Sequence, residues 1–464
     1  MQMTPFATYE AALEWLFSAT DYERMQRVRY NTDTFDLSRM AALVTRVGDP
    51  HRDQRYLHVA GTKGKGSTAA MLSEVLRAAG YRVGLYTSPH VVDLRERICV
   101  GGAPIEADAL RDLIGRVRPH VAAMAEGSTR RPATFFEILT AIALLHFRDV
   151  GTDVTVLEVG MGGRLDATNV VTPLVSAITS LSLDHVQQLG GTLAEIAAEK
   201  AGIIKPGVPV VSAPQTEEAM PVIERVAAER GARLAVVGRE IEITDYELDA
   251  RNDRMGSRIS LRTPRGPHED LWLAAAGRHQ AVNAAVAVGV LEEAAERGLA
   301  WGPRALRDGL ARAALPARIE VLGRSPLVIN DGAHNPASIR ALVEVVEEAF
   351  PHERLVLVFA SAADKDYVGG LAEILPLADH LILTSARSAR SVAPEQLEQA
   401  VRKVCTVPVE CQPTAAAAAE RALMLAGPDD LVCFTGSFYL AGQVAEWWQG
   451  QRERNAPGPS PQTG

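Results

Sequence analysis

The chain has 464 residues, 47% of them hydrophobic, enough for a sizeable core spread over two or three domains. Its 48 Lys and Arg against 57 Asp and Glu leave a net charge of −9, which argues against a phosphate-backbone partner such as nucleic acid. Cys99, Cys405, Cys411 and Cys433 form no C-x-x-C pair, so neither a zinc framework nor a disulfide scaffold is expected. There is also no apolar run long enough to span a membrane and no basic n-region of a secretory signal. The expectation is a soluble, cytoplasmic protein, taken as a monomer.

Strand-length apolar runs alternate with helical patterns. Tyr56–Ala60 reads as a strand, Thr68–Ala79 as a helix with Met71, Leu72, Val75 and Leu76 on one face, and Val83–Tyr86 as a second strand. Phe136–Phe147 reads as a helix. Val154–Val159, Val175–Thr179 and Val208–Ser212 read as further strands. This alternation predicts βαβ units around a parallel sheet covered on both faces. From Arg239 to Ala276 short alternating runs predict antiparallel strands. Helices are predicted at His279–Arg297 and Pro303–Ala313. A second βα series follows, with strands at Leu327–Asp331, Leu355–Phe359, His380–Thr384 and Leu431–Thr435. A domain boundary is placed between about Gly298 and Leu315, and the Pro/Gly/Ser-rich tail reads as disordered.

The strongest local signal is Val59-Ala-Gly-Thr-Lys-Gly-Lys-Gly-Ser-Thr68, between a strand and a helix. Gly61, Gly64 and Gly66 allow backbone N–H groups to close around phosphate oxygens, with the helix N-terminus adding positive potential. Thr62 lies within the same loop. Lys65 is placed to reach the outer phosphates, and Ser67 or Thr68 to ligate Mg²⁺. The pattern departs from G-x-x-x-x-G-K-[ST], because Gly66 stands between Lys65 and Ser67. Glu158 closes an otherwise apolar strand, where a carboxylate is costly without compensation. Pairing with Arg or Lys and binding of a cation are both open on this pattern. Taken alone, His185 fits a hydrogen-bonded loop histidine, Lys200 a solvated lysine, and Phe135 and Phe136 core residues. His279, Gln280 and Asn283 could equally form a helix N-cap network.

Nine segments in order resemble the folylpolyglutamate synthase/dihydrofolate synthase family, a branch of the Mur ligases. They are the phosphate loop, Tyr86-Thr-Ser-Pro-His90, Phe136-Glu-Ile-Leu-Thr140, Glu158-Val-Gly-Met-Gly-Gly-Arg-Leu-Asp-Ala-Thr-Asn169, Asp184-His185, Glu199-Lys-Ala-Gly-Ile-Ile-Lys205, Gly277-Arg-His-Gln280 with Asn283, Pro316-Ala-Arg318, and Asp331-Gly-Ala-His-Asn-Pro336. In the phosphate loop Lys63 stands where the family usually has Asn.

The resemblance implies an α/β chain: a P-loop-type ATPase domain with a mostly parallel sheet over residues 1–305, a smaller Rossmann-like α/β domain over 306–450, and a disordered tail over 451–464. It implies ATP held by the phosphate loop, Asn283, Arg318 and Asp331, with the two domains clamping it. Mg²⁺ is implied on Ser67, Ser88, Glu158 and His185, with Lys200, carbamoylated in related enzymes, near a second metal ion. Catalytic roles fall to Lys65, Lys200 and His334. The acceptor, a folate or dihydropteroate, is implied on Thr134, Phe135, Phe136, Glu137, Leu165, Asp166 and Ala167, with L-glutamate as the second substrate. The implied reaction is ATP-dependent ligation through an acyl phosphate. A muramyl-peptide ligase, a P-loop phosphotransferase and a non-enzymatic nucleotide-binding module are the alternatives. Gly66 and Phe136-Glu137 argue against the first, and the Asp331/His334 motif against the second. The joint presence of Lys65, Glu158, His185 and Lys200 argues against the third.

Overall fold

The first sheet buries both faces of its central strands. Its members are β1 (Tyr56–Ala60), β2 (Val83–Tyr86), β3 (Ile98–Val100), β4 (Ala103–Pro104), β5 (Val154–Glu158), β6 (Val175–Ile178), β7 (Val210–Ser212) and β8 (Leu234–Val236), in the order β4-β3-β2-β5-β1-β6-β7-β8. Every pairing from β2 to β8 is parallel. β3 and β4 add a short antiparallel hairpin at one edge. All residues of β1 and β5 are buried, because helices cover both faces. Tyr56, Tyr86 and Leu157 pack with the helices Tyr9–Phe17, Leu37–Arg46, Ala107–Glu126 and Phe135–Val150. The helices Lys65–Ala78 and Arg278–Ala295 lie against the sheet as well.

The computed structural model describes residues 5–21, 36–126, 132–183, 186–249, 255–313, 315–388, 390–402 and 407–455. The chain divides into two compact units. One comprises Met1–Glu247, Gly256–Ala274 and Arg278–Ala314; the other comprises Leu248–Met255, Ala275–Gly277 and Leu315–Gly464. The expected antiparallel strands are β9 (Glu242–Asp249), β10 (Gly256–Thr263) and β11 (Gly266–Leu273), which form a separate sheet in the order β11-β10-β9. Thr263 and His268 both bond Glu292 of the helix Arg278–Ala295, at 2.6 and 3.0 Å, and so tie β10 and β11 to that helix.

The second unit holds a six-stranded sheet of β12 (Glu320–Arg324), β13 (Leu327–Asn330), β14 (Leu355–Phe359), β15 (His380–Leu383), β16 (Val409–Cys411) and β17 (Leu431–Thr435), ordered β12-β13-β17-β14-β15-β16. All pairings are parallel except β12 with β13. Alternation along β14 divides its side chains between two cores. Leu355, Leu357 and Phe359 face the helices Pro336–Ala349 and Tyr367–Ile374, whereas Val356 and Val358 face Ala415–Leu425 and Phe438–Asn455. Both units are therefore α/β. Among the described residues no helix is long and apolar enough to cross a membrane.

Two boundaries differ from the sequence reading. A border at 305/306 would cut the helix Pro303–Arg312, which stays with the first unit through Ala314. Gly309 lets that helix sit directly on the helix Lys65–Ala78, since a Cβ there would overlap the backbone of Val75. The C-terminal helix continues through 451–455, inside the expected disordered tail, and Arg452 donates to the Leu322 carbonyl at 3.0 Å. Residues 456–464 lie outside the described residues. We expect Gly309→Ala to lower the unfolding free energy by about 2 kcal/mol through overpacking. Denaturant melts test this, and an unchanged midpoint would contradict the close approach.

Candidate functional site

The helix after β1 begins at Lys65, three residues before the sequence reading placed it. Gly64 is its N-cap with φ of 86°, a left-handed conformation that favours glycine. Gly61 has φ of 152°, and a Cβ on it would overlap the Thr179 side chain; a Cβ on Gly64 would overlap Asn283. The N–H groups of Thr62 and Lys63 both donate to the Ser180 carbonyl at 3.0 Å. The first intrahelical bond is Thr68 N–H to the Gly64 carbonyl. The N–H groups of Lys65, Gly66 and Ser67 therefore form the open first turn, where a helix has no internal partner for its donors. Such a turn offers an anion oriented donors and the positive end of the helix dipole.

Glu158 ends β5 beside this turn and is only 4% exposed. Its Oε2 accepts the Ser88 N–H at 3.0 Å, which brings the loop after β2 to the same edge. A Cβ placed on Gly66 would stand 3.6 Å from Oε2, so the carboxylate lies directly against the loop. Ser67 is buried, and the buried Thr68 Oγ1 has no hydrogen-bond partner among the described residues. One carboxylate with hydroxyl oxygens suits a hard cation that completes its shell with water and phosphate. No three His, Cys, Asp or Glu side chains cluster as metal ligands among the described residues. Asp184 and His185 lie outside the described residues.

Lys200 sits at the end of the helix Leu193–Ala201 and is 4% exposed, not solvated. Its Nζ donates to the Gly61 carbonyl at 2.7 Å, so it braces the phosphate loop. As an ammonium it has no lone pair for a metal. A Cβ on Gly163 would crowd the Lys200 backbone, and Arg164 bonds Glu199 through both backbone and side chain. The loop after β5 is thereby fastened to this helix end. Asn283 also lies at the phosphate loop, buried against Gly64, with its Nδ2 donating to Gln280 at 3.0 Å. His279 is exposed, so burial separates it from Gln280 and Asn283.

The expected acceptor residues divide by burial. Thr134 and Glu137 form a reciprocal capping box at the start of the helix Phe135–Val150. Both Glu137 oxygens also accept from Arg39 Nε, at 2.9 and 2.7 Å, in a buried ion pair. Phe135 is a core residue, stacked on Phe17 at 5.7 Å. Phe136 is half-buried, 5.9 Å from the Tyr86 ring, and lies where Gly160 leaves no Cβ in its way. Leu165 is half-buried, and Asp166 and Ala167 are buried. Burial pushes the Asp166 carboxyl above its usual range, against hydrogen bonds from Thr168 and from the Met161 N–H.

In the second unit, Asp331 follows β13 and accepts from the Ile319 and Ala333 N–H groups at 2.8 and 2.7 Å. Burial raises its pKa, with Arg318 opposing. Ala317 and Ile319, on either side of Arg318, have φ of 54° and 52°, strain of the kind that collects at functional turns. The Arg318 guanidinium lies 4.5 Å over the Phe438 ring, and the His334 ring lies 5.7 Å from it. His334 Nδ1 lies 2.9 Å from the Gly332 carbonyl and so carries a proton that it donates there.

The groups from Gly61 to Asn283 and from Arg318 to Phe438 fall within shared family domains. The Mur ligase middle domain matches residues 59–291, and the Mur ligase, glutamate ligase domain matches residues 317–438. The dihydrofolate synthase/folylpolyglutamate synthase of Bacillus subtilis is 38% identical over 78% of this chain and 81% of its own length. The chain belongs to the folylpolyglutamate synthase/dihydrofolate synthase family of Mur ligases. Among solved members, Mycobacterium tuberculosis folylpolyglutamate synthase complexed with ADP superposes with a TM-score of 0.86 at 32% identity, covering 95% of this chain and 99% of that one. Escherichia coli FolC in complex with DHPP and ADP gives 0.83 at 30% identity, covering 97% and 100%. The bidomain α/β architecture is that of the family.

Several contributors had no family motif to announce them. Ser180 receives two loop N–H groups, Arg39 neutralises Glu137, and Phe438 carries Arg318 and His334. Each is distant in sequence from its partner and only strand order or packing joins them. Arg39→Met leaves the Glu137 carboxylate buried without its cation, and we expect a loss of about 3 kcal/mol in unfolding free energy. Chemical denaturation checks this; a change within experimental scatter would show that the capping box alone satisfies Glu137.

Proposed function

We infer that the chain is an ATP-dependent acid–amino-acid ligase that adds L-glutamate to the carboxylate of a folate or dihydropteroate, releasing ADP and phosphate. The observation that carries this reading is the open helix turn Lys65–Ser67 beside the buried Glu158, within a chain of this family. Relatives described as dihydrofolate synthase/folylpolyglutamate synthase, and family structures holding ADP, support both the nucleotide and the acceptor class.

The chemistry needs no covalent enzyme intermediate. An acceptor carboxylate oxygen attacks the γ-phosphorus of ATP, the bond to the β–γ bridging oxygen breaks, and ADP leaves. The neutral amine of glutamate then attacks the acyl carbonyl carbon, phosphate departs with the C–O electron pair, and the amine sheds its proton. The N–H groups of the first helix turn orient the phosphates, and Lys65 offsets charge as the γ-phosphoryl moves. Lys200 holds the Gly61 carbonyl and so the loop's shape. Glu158, Ser67 and Thr68, with Ser88 and His185 carried from the family pattern, would hold Mg²⁺, which supplies Lewis-acid charge neutralisation at the phosphates. A metal role for Lys200 requires its conversion to the carbamate. Thr62, Gly64, Gly66 and Asn283 shape the nucleotide end, with Arg318, Asp331 and His334 assigned to nucleotide and phosphate. Phe136 offers a ring face to a flat heterocycle, and Leu165, Asp166 and Ala167 line the acceptor.

ADP release, measured with dihydropteroate, tetrahydrofolate or a UDP-muramyl substrate, each with and without glutamate, tests the assignment. Turnover is expected only with a folate-type acceptor and glutamate; turnover with the muramyl substrate alone would overturn it. We expect Lys65→Ala and Glu158→Ala each to reduce turnover by at least about 100-fold, the scale on which a preorganised charge-stabilising group acts, with unchanged thermal melting. Near-normal rates in either would remove that residue from the phosphate site.

A further inference from the structure

His58 lies within β1, the strand that feeds the phosphate loop, and is completely buried. Its Nε2 is 2.8 Å from Thr168 Oγ1. The Thr168 hydroxyl donates its one proton to Asp166 Oδ1, so it must accept from His58, whose proton is therefore on Nε2. Asp166 Oδ1 also accepts the Thr168 N–H at 2.9 Å, and Oδ2 accepts the Met161 N–H at 3.0 Å. Burial lowers the His58 pKa to about 3, with Lys205 adding to the effect, so the ring is a neutral donor across the working pH range.

These bonds run from the centre of the sheet to the loop that leaves β5. That loop has its other anchor at Glu199, through the Arg164 N–H and guanidinium. Held at both ends, it presents Leu165 and Ala167 on either side of the Asp166 carboxylate. The Asp166 carboxylate takes backbone N–H groups from Met161, Thr168 and Gly160, and its side-chain donor is the Thr168 hydroxyl, whose rotamer the His58 Nε2–H holds toward Oδ1.

We propose that His58 is a positioning residue for acceptor binding: its Nε2–H, passed through the Thr168 hydroxyl, sets the Asp166 carboxylate and with it the loop Met161–Ala167. This rests on the assignment of Leu165–Ala167 to the acceptor. His58 itself sits inside the sheet and acts only through its partners.

The test compares KM for the folate acceptor and for ATP in His58→Leu, His58→Gln, Thr168→Val and Leu165→Ala. The amide of Gln can replace the Nε2–H donor, whereas Leu cannot. His58→Leu and Thr168→Val are expected to raise the acceptor KM about tenfold, the worth of one buried hydrogen bond, with the ATP KM within about twofold of the parent. His58→Gln is expected to restore the acceptor KM. Equal defects in His58→Leu and His58→Gln, or parallel rises in both KM values, would overturn the proposal, because general loss of packing produces that result. Should His58→Leu not fold, Thr168→Val and His58→Gln carry the same comparison. An unchanged acceptor KM in Leu165→Ala would instead remove the acceptor assignment of the loop. A rise in Leu165→Ala without one in His58→Leu or Thr168→Val would defeat the His58 proposal alone.

Discussion

The site in the first unit depends on a helix whose opening turn keeps its donors unspent. Three N–H groups at Lys65, Gly66 and Ser67 have no intrahelical partner by geometry, and they point where an anion is best held. Keeping that turn open requires the preceding backbone to reverse within a few residues. Gly61 and Gly64 permit it, because side chains there would overlap Thr179 and Asn283. The loop is then fixed from outside: Ser180 takes the Thr62 and Lys63 N–H groups, and Lys200 takes the Gly61 carbonyl. A loop fastened in this way suits the preorganised charge stabilisation proposed for it.

The parallel order of the sheet supplies the rest. β1, β5 and β6 are neighbours, so the phosphate loop, Glu158 and the Thr179–Ser180 segment all emerge at the same edge. Ligands of open α/β sheets bind at such carboxyl ends. Buried polar chains beneath the edge then hold its loops. Asp166, Thr168 and His58 form one, and the Arg39–Glu137 pair at the capping box forms another. In the second unit the same logic appears at the end of β13, where Asp331 spends both oxygens on backbone N–H groups and fixes the turn that carries Arg318 and His334 near Phe438.

The residue patterns carried a great deal of this. Apolar runs with strand length gave β14 and β17 at their observed bounds, since a strand covered on both faces has to be apolar throughout. The antiparallel insert was legible from period-two alternation. The start of the helix after β1 was not, because two glycines and a lysine lack apolar periodicity and the N-cap is a left-handed Gly64 with no side-chain signal. Short edge strands such as β4, with both residues exposed, escaped for the same reason. Phe135 and Phe136 are adjacent and alike in sequence, yet the helix turns one into the core and leaves the other beside Gly160.

By itself the sequence determined the α/β class, the Gly-rich turn between strand and helix, the acid that ends an apolar strand and, through motifs in order, the family. These are properties of local pattern: glycine where the backbone must turn, an apolar strand interrupted by one acid, residue types at set spacing. The tertiary structure alone decided which of those residues are spent on one another. Whether Glu137 faces a ligand or an arginine, whether Lys200 is solvated or braces a carbonyl, and whether His58 is inert core or a donor to Thr168 are questions of partners brought together from distant parts of the chain. Burial makes those partnerships obligatory, because a polar group removed from water must find its hydrogen bond in the fold.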